Sequence, residues 1–359
     1  MPMRRWTKIT IAILLSLLVG VPAGSAWAGG SRTHVVRPGE SIQAAIDAAR
    51  PGDTILVKPG EYAEALTITT DDLTLKGSRG TVLTMPDDAE PCFVFDPEAP
   101  PTVEGICVLG ELSPEFEVTD PVEDTRISGF TIRGFSGNGI FALGTEDLRA
   151  TRNRTDDNAE YGIFVLLSTR PVLAYNKASG NGVAGLYVGG NQRVDAKIFA
   201  NTSWDNPIGI FLRDVSFGTA EGNHVFGNCT GILLLAGAPG PLTNWKIRHN
   251  LAKANNKTDC GEEDPVPSGI GILLFGAADN DISGNLVLGN RGSEELGGGI
   301  VLVTGGEPGG EQLEPSGNTV RRNVAFKNQP FDIFWDGTGT GVRFKGNRCA
   351  TSQPEGLCG

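Results

Sequence analysis

The chain has 359 residues, with 30 Lys and Arg against 42 Asp and Glu, for a net charge of −12. So acidic a chain repels nucleic acid and anionic lipid as bulk partners, and its length is ample for a large core. Glycine, at 50 residues, is about twice its usual share near 7 %, while helix-period patterns are almost absent, which calls first for a search for repeats.

The N-terminus reads as a secretory signal peptide over residues 1–28. Arg4, Arg5 and Lys8 precede an apolar run from Ile9 to Val21, and Ala26-Trp27-Ala28 is a small-x-small cleavage site. The run is shorter than the roughly 20 residues of a spanning helix, so no membrane association is expected after cleavage. The expected location is extracellular or periplasmic. The next segment, "GESIQAAIDAARPGD", predicts a short helix from Ser41 to Ala49, N-capped near Ser41 and stopped by Pro51-Gly52.

From residue 153 onward the pattern N-x4-N recurs. The pairs are Asn153/Asn158, Asn176/Asn181, Asn201/Asn206, Asn223/Asn228, Asn250/Asn255, Asn285/Asn290 and Asn323/Asn328, and Asn347 opens an incomplete copy. A second landmark keeps step with it. Gly139-Ile140 precedes the first pair, and Gly162-Ile163, Gly185-Leu186, Gly209-Ile210, Gly231-Ile232, Gly271-Ile272 and Gly299-Ile300 follow successive pairs, with Asp332-Ile333 closing the series. Each opens a short β-run whose first and third residues after Gly are apolar, so alternation sends them inward. Such a unit cannot bury that face alone; stacking equivalent units at roughly 4.8 Å can. Stacking also explains the asparagines. An amide has donors and an acceptor, so a buried column of amides satisfies itself from coil to coil. Upstream, "RISGFTIRGF" parallels "DISGNLVLGN" and places Phe130 and Phe135 in the two Asn slots, as an aromatic layer beneath the ladder.

Six cysteines behind a signal peptide imply three disulfides. Fifteen pairings are possible; the expected set joins neighbours in order, Cys92–Cys107, Cys229–Cys260 and Cys349–Cys358.

The Asn ladder, the G-I-x-L strand and the opening "VVRPGESIQAAIDAARPGDTILVKPGEY" resemble the right-handed parallel β-helix proteins of the pectin-lyase-like superfamily, including the NosD-like, carbohydrate-binding and sugar-hydrolase (PbH1-repeat) proteins. The resemblance covers about residues 34–349. It implies an all-β fold: one right-handed parallel β-helix, coils over 54–349, a capping helix over 41–50 that covers the open first coil, and a C-terminal cap over 349–359. It further implies that the Gly-Ile strands form the sheet whose outer face is the usual substrate groove.

On that face, alternation points Phe141, Phe164, Tyr187, Phe211 and Phe334 outward, a candidate platform for sugar rings or a column covered by loops or a partner. Arg213, Asp214 and Asp336 are the ionisable residues there. Lyase or epimerase chemistry on uronic acids needs a base and a cation, for which these are the candidates; the competing reading of Arg213 is a surface residue paired with Asp214. Long insertions at 256–268, 291–298 and 305–317 flank the sheet. Asp259, Glu262, Glu263 and Asp264 offer oxygen ligands for Ca²⁺ without an EF-hand spacing, so a solvated acidic loop is the alternative. Asp156 and Asp157 read as a turn, and His224 and His249 as neighbours across adjacent coils. Motifs of pectate lyases, alginate epimerases and polygalacturonases are missing. Met85 is the sole methionine outside the leader, which fits copper carriage poorly. The sequence therefore implies a secreted monomer that binds or acts on an extracellular polysaccharide, or a non-catalytic scaffold for an extracellular protein, with no nucleic-acid partner.

Overall fold

A computed structural model describes residues 30–359 apart from 96, 97, 99, 238, 239, 262–265, 293–295 and 307–310. The proposed leader and the acidic residues Glu262, Glu263 and Asp264 lie outside the described residues. Ser31–Gly359 is one compact unit.

The chain winds as a right-handed parallel β-helix with three strand stacks. The Gly-Ile strands form an eleven-stranded parallel sheet running from Leu66–Ile68 through Ile140–Leu143 and Tyr161–Leu166 to Ser352–Gln353. A second stack holds the strands before the first Asn of each pair, such as Arg149–Thr151, Val172–Ala174 and Ala196–Phe199. A third holds the three-residue strands between the two asparagines, such as Arg154–Asp156, Lys177–Ser179 and Thr202–Trp204. The long strands Thr74–Thr84 and Arg126–Arg133 run through both of the latter stacks and join them. Inside, Ile163, Val165, Leu186, Val188, Ile210 and Leu212 are fully buried, as alternation requires.

Two ladders of asparagine run along the corners. Asn201 shows the pattern. Its Oδ1 accepts from the backbone N–H of Asn176 at 2.9 Å and from Asn176 Nδ2 at 3.1 Å. Its own Nδ2 donates to the Leu173 carbonyl at 2.8 Å and to Asn223 Oδ1 at 3.0 Å. The first ladder runs from Asn153 to Asn347 and the second from Asn158 to Asn328, which is closed by the carboxylate of Asp332. Phe130 and Phe135 donate their backbone N–H to Asn153 and Asn158, so the aromatic layer lies directly below both columns. A third, shorter column joins Trp245, Asn280 and Asn318; each of these asparagines stands five residues before a ladder asparagine, Asn285 or Asn323, an extension of the N-x4-N pattern that the paired reading leaves out.

The residue before each ladder asparagine has positive φ. Glycine fills some of these corners, but Arg152, Tyr175, Ala200, Asp205, His249, Ala254 and Arg322 adopt φ between 48° and 59°. For a non-glycine residue that conformation costs roughly 1–2 kcal/mol. The amide that follows offsets it by binding the neighbouring coils.

The ends are closed in different ways. The helix Ile42–Asp47 turns Ile42 and Ile46 onto the open core, with Ser41 accepting from Ala44 N. It is shorter than the predicted Ser41–Ala49, because Ala49 N bonds Ile46 O in a tighter final turn before Pro51. Glu64 from the next coil accepts from Ser41 Oγ, Ile42 N and Gln43 N, satisfying donors that a helix start leaves open. Asp53 accepts from Arg32 N, Arg50 N and His34 Nε2, which together hold its carboxyl at about 2. At the far end Cys349–Cys358 pins the last turn, and Leu357 is buried beneath the final coil.

Asn201→Ala removes the acceptor of Asn176 N–H and the donor of Leu173 C=O in a dry corner. Its unfolding free energy falls by on the order of 3 kcal/mol, read from chemical denaturation; a midpoint equal to wild type contradicts the ladder's role. Asp53 has a folded pKa depressed below its ordinary 3.8. Its contribution is therefore present above pH 4 and lost as pH falls through about 2. The melting temperature of Asp53→Ala should lie below wild type at pH 7, and the gap should close toward pH 2.

Candidate functional site

The outer face of the Gly-Ile sheet follows from strand register. Phe141, Phe164, Tyr187, Phe211, Leu233, Leu273, Val301 and Phe334 stand opposite one another on successive strands. Phe141 stacks on Phe164 at 5.5 Å between centroids, Phe164 on Tyr187 at 4.5 Å, and Tyr187 meets Phe211 edge-on at 5.2 Å. The column is thus present and in line, but it is not an open platform. Phe141 is 1 % exposed, Tyr187 6 % and Phe211 7 %.

Disulfides explain the covering. Cys107 occupies the outward position below Phe141 in the same register. Its bond to Cys92 throws Phe93 and Phe95 across the column, where Phe93 lies 6.2 Å from Phe141 and Phe95 lies 6.5 Å from Phe164. Further along, Cys229–Cys260 anchors the 256–268 insertion, and its Val266 packs against the outer cluster of Leu233, Leu273 and Val301. Leu296, from the 291–298 insertion, packs there too. All three disulfides join neighbours in order. Sequence reasoning pairs Cys92 with Cys107 but has no signal for where the loop between them falls.

Between the two covers a groove of about 390 Å³ stays open, lined by Tyr161, Ile208, Phe211, Leu233, Val266 and Arg213. Burial pushes the Tyr187 hydroxyl up to about 12 and raises that of Tyr161 as well, so both stay neutral hydrogen-bonding groups at physiological pH. Arg213 stands at the rim, half exposed, with Nε 3.3 Å from Asp214. Asp214 is buried and also accepts from Gly237 N at 2.6 Å. It occupies a left-handed corner at φ 50°, so its carboxylate serves the turn while balancing Arg213.

Asp336 is not a partner of Arg213. Register places it opposite Val303, four strands beyond Arg213, or about 19 Å at the interstrand spacing. Its carboxylate accepts from Thr304 N, Thr338 N and Thr338 Oγ1. Burial raises its pKa, but these bonds outweigh it and hold the carboxyl below its ordinary value. The three ionisable candidates are therefore not assembled into one reacting centre, and Phe334 stands on the same distant strand as Asp336.

A carboxyl pair that the sequence does not single out lies beside Tyr161. Glu104 accepts from Asn138 N and from Thr102 Oγ1, and Asn138 Nδ2 donates to Glu160. Burial raises both pKa values, and the nearby Glu160 charge adds to the shift at Glu104.

The remaining candidates are dispersed. Asp156 is buried between Arg154 and Ser179. His249 Nδ1 faces Glu221 at 3.2 Å, while His224 packs on Phe226. Asp259 lies in the stapled insertion, and among the described residues no three His, Cys, Asp or Glu side chains converge on a common point.

A family model described as "Right handed beta helix region" matches residues 105–250. No curated protein matches the chain. Among solved structures, the chain is similar to the A-module of mannuronan C-5 epimerase AlgE6 from Azotobacter vinelandii, at 17 % identity over 87 % of this chain and 89 % of that one, with a TM-score of 0.55. It is also similar to the catalytic unit of a GH87 α-1,3-glucanase from Streptomyces thermodiastaticus, at 18 % identity over 94 % and 67 % of the two chains, with a TM-score of 0.57. Pectate lyase Pel9A shares 13 % identity over 90 % and 78 %, with a TM-score of 0.52. At such identities the likeness is one of fold. Repeat and register make this chain a right-handed parallel β-helix, and the family model matches that architecture over residues 105–250.

Proposed function

We propose that the protein is a secreted glycan-binding β-helix that holds a short stretch of polysaccharide in the groove around Phe211 without transforming it. The observation that carries this reading is the groove itself: an apolar and aromatic floor of Tyr161, Ile208, Phe211 and Leu233, with one cation, Arg213, at its rim. Apolar sugar faces lie against such a floor, and a guanidinium binds hydroxyl or carboxylate oxygens. Polysaccharide-acting proteins among the fold's neighbours support a carbohydrate role. Binding is favoured over turnover because both candidate carboxylates are engaged in internal bonds: Asp214 accepts from Arg213 and Gly237 N, and Asp336, four strands from Arg213, accepts from Thr304 and Thr338. Three disulfides support a secreted or periplasmic setting. Among the described residues no helix is long and apolar enough to cross a membrane.

A second reading has its own observation. Phe95 is 53 % exposed and Phe116 41 %, both beside the covered end of the column, which suits docking of an extracellular protein.

The test is calorimetric titration against a panel of neutral and uronic oligosaccharides, with and without Ca²⁺, since Asp259 leaves a calcium contribution open to measurement. Phe211→Ala should weaken binding about tenfold, the scale of losing a buried aromatic contact of roughly 1–1.5 kcal/mol. Parallel incubations should give neither unsaturated product nor new reducing ends. Turnover abolished by Arg213→Ala would establish an enzyme instead, and silence across the whole panel would favour the protein-docking reading.

A further inference from the structure

The second strand stack, on a different side of the helix from the groove, has an outer face of contrasting charge. Register lines up Arg126 with Arg149, then Val172, Lys197, Thr219 and Lys246 on successive strands. In a chain of net charge −12 this face carries a row of cations as far as Lys246, and Asp281, which follows it in register, is bound by Arg321. Like charges directly opposite on adjacent strands are destabilising, yet Arg126 and Arg149 are such a pair. Asp72 and Asp124 engage Arg126 at the edge of the turn. Among the described residues no carboxylate stands within ion-pair distance of Lys76, Arg149, Lys197 or Lys246, and all four are exposed. Arg152 reaches over the exposed ring of Tyr175, 5.1 Å from its centroid, and leaves its guanidinium edge toward solvent.

The face is also shaped. One concavity, of about 530 Å³, is lined by Lys76, Arg126, Arg149 and Arg152 with Gly77 and Gly129. The two glycines are matched across adjacent strands. Gly129 has φ 82°, and a Cβ there would meet Gly77 O at 2.3 Å, while one on Gly77 would meet Gly129 O at 2.9 Å. The register shift between Ser128 and Phe130 therefore needs both residues bare, and it makes a dip that no side chain fills. A second concavity, of about 400 Å³, includes Lys197 and Lys246 and lies further along the same face. Asp195 lines it too, but is bound by Arg193.

The geometry points to a second binding face: Lys76, Arg149 and Arg152 around the Gly77–Gly129 dip, continued by Lys197 and Lys246, take the anionic groups of a linear acidic glycan lying along the helix axis. The face offers cations at strand intervals and hollows of sugar size. It is one strip on an acidic body, which disfavours a nucleic-acid duplex or a broad anionic membrane. This site goes beyond the Phe211 groove and shares no residue with it.

The full disulfide-bonded protein is run in native gels containing polygalacturonate, heparin or neutral dextran, and separately with duplex DNA or phosphatidylserine vesicles. The polyuronate and sulfated arms distinguish carboxylate from sulfate as the preferred anion. Retardation is expected with at least one acidic glycan, not with dextran, and is suppressed near 0.5 M NaCl, where screening shortens the reach of charge to a few ångströms. The double reversals R149E/R152E and K197E/K246E should each weaken the apparent affinity by about tenfold or more, with melting temperatures near wild type because these side chains are exposed. Phe211→Ala should leave the retardation unchanged, so failure of the groove and failure of this face give different results. Absence of retardation by either acidic glycan, retention of it in both reversals, or equal or tighter binding of DNA or vesicles would each overturn the assignment.

Discussion

The structure depends on a corner. At each turn a residue in the left-handed region is followed by an asparagine whose amide bonds the coils above and below it. The two halves need each other. A left-handed Arg152 or Tyr175 is costly alone, and a buried amide is costly alone. Together the bend aims the amide into the stack, and the amide pins the bend. Because the Oδ1 of one coil takes the backbone N–H of the preceding one, the corner also fixes vertical register, and a slip by one residue would break every bond of the ladder at once.

Fixed register makes the outer faces predictable objects. Side chains at equivalent positions recur at the strand spacing, so any residue type that repeats there becomes a continuous stripe. The aromatic column and the cationic row are both produced this way, on different stacks, by the same corners. Interruptions are equally informative. Cys107 stands where the aromatic column would otherwise continue, and a disulfide there converts the next step of the stripe into an anchor for a covering loop. Cys229, one residue before the strand Thr230–Leu235, does the same for the 256–268 insertion. The groove around Phe211 is what lies between two anchored covers.

What the sequence discloses and what it withholds divide along the same line. Periodic features are legible: the Asn pairs, the inward Ile and Val of the Gly-Ile strands, and even Phe130 and Phe135 as substitutes in the Asn slots. Each is stated many times over, so one reading checks another. Features that occur once are not legible. Phe93 and Phe95 have no repeat partner that tells them where to fall. Val266 is one apolar residue in an acidic insertion. Asn280 and Asn318 repeat the five-residue interval ahead of Asn285 and Asn323, but a column of only two asparagines does not stand out beside the longer ladders. Glu104 and Glu160 are 56 positions apart by number, and only the winding brings both to Asn138. Alternation did identify which way Phe141 and Phe211 point, but pointing outward from a sheet is not the same as meeting solvent, since loops lie on sheets.

Net charge is the clearest case of a sum that discards position. A total of −12 argues against polyanionic partners if charge is spread evenly, and the β-helix does not spread it evenly. Many of the acids sit at corners and in insertions: Asp72, Asp124, Asp147, Asp195 and Asp279 share a single column of left-handed turns, a conformation that Asp tolerates better than most residues. Strand positions two residues beyond these turns carry Arg126, Arg149, Lys197 and Lys246, with Val172 and Thr219 between them and Asp281 beyond. The segregation on this side of the helix follows the turn: five bend residues of that column are Asp, while Arg170, Phe217 and Asn244 fill the positions between them, and several of the strand residues that follow are Arg or Lys. A winding that sorts charge by backbone conformation can present a basic surface on an acidic protein, and the sign a ligand meets is decided by which stack it lies on.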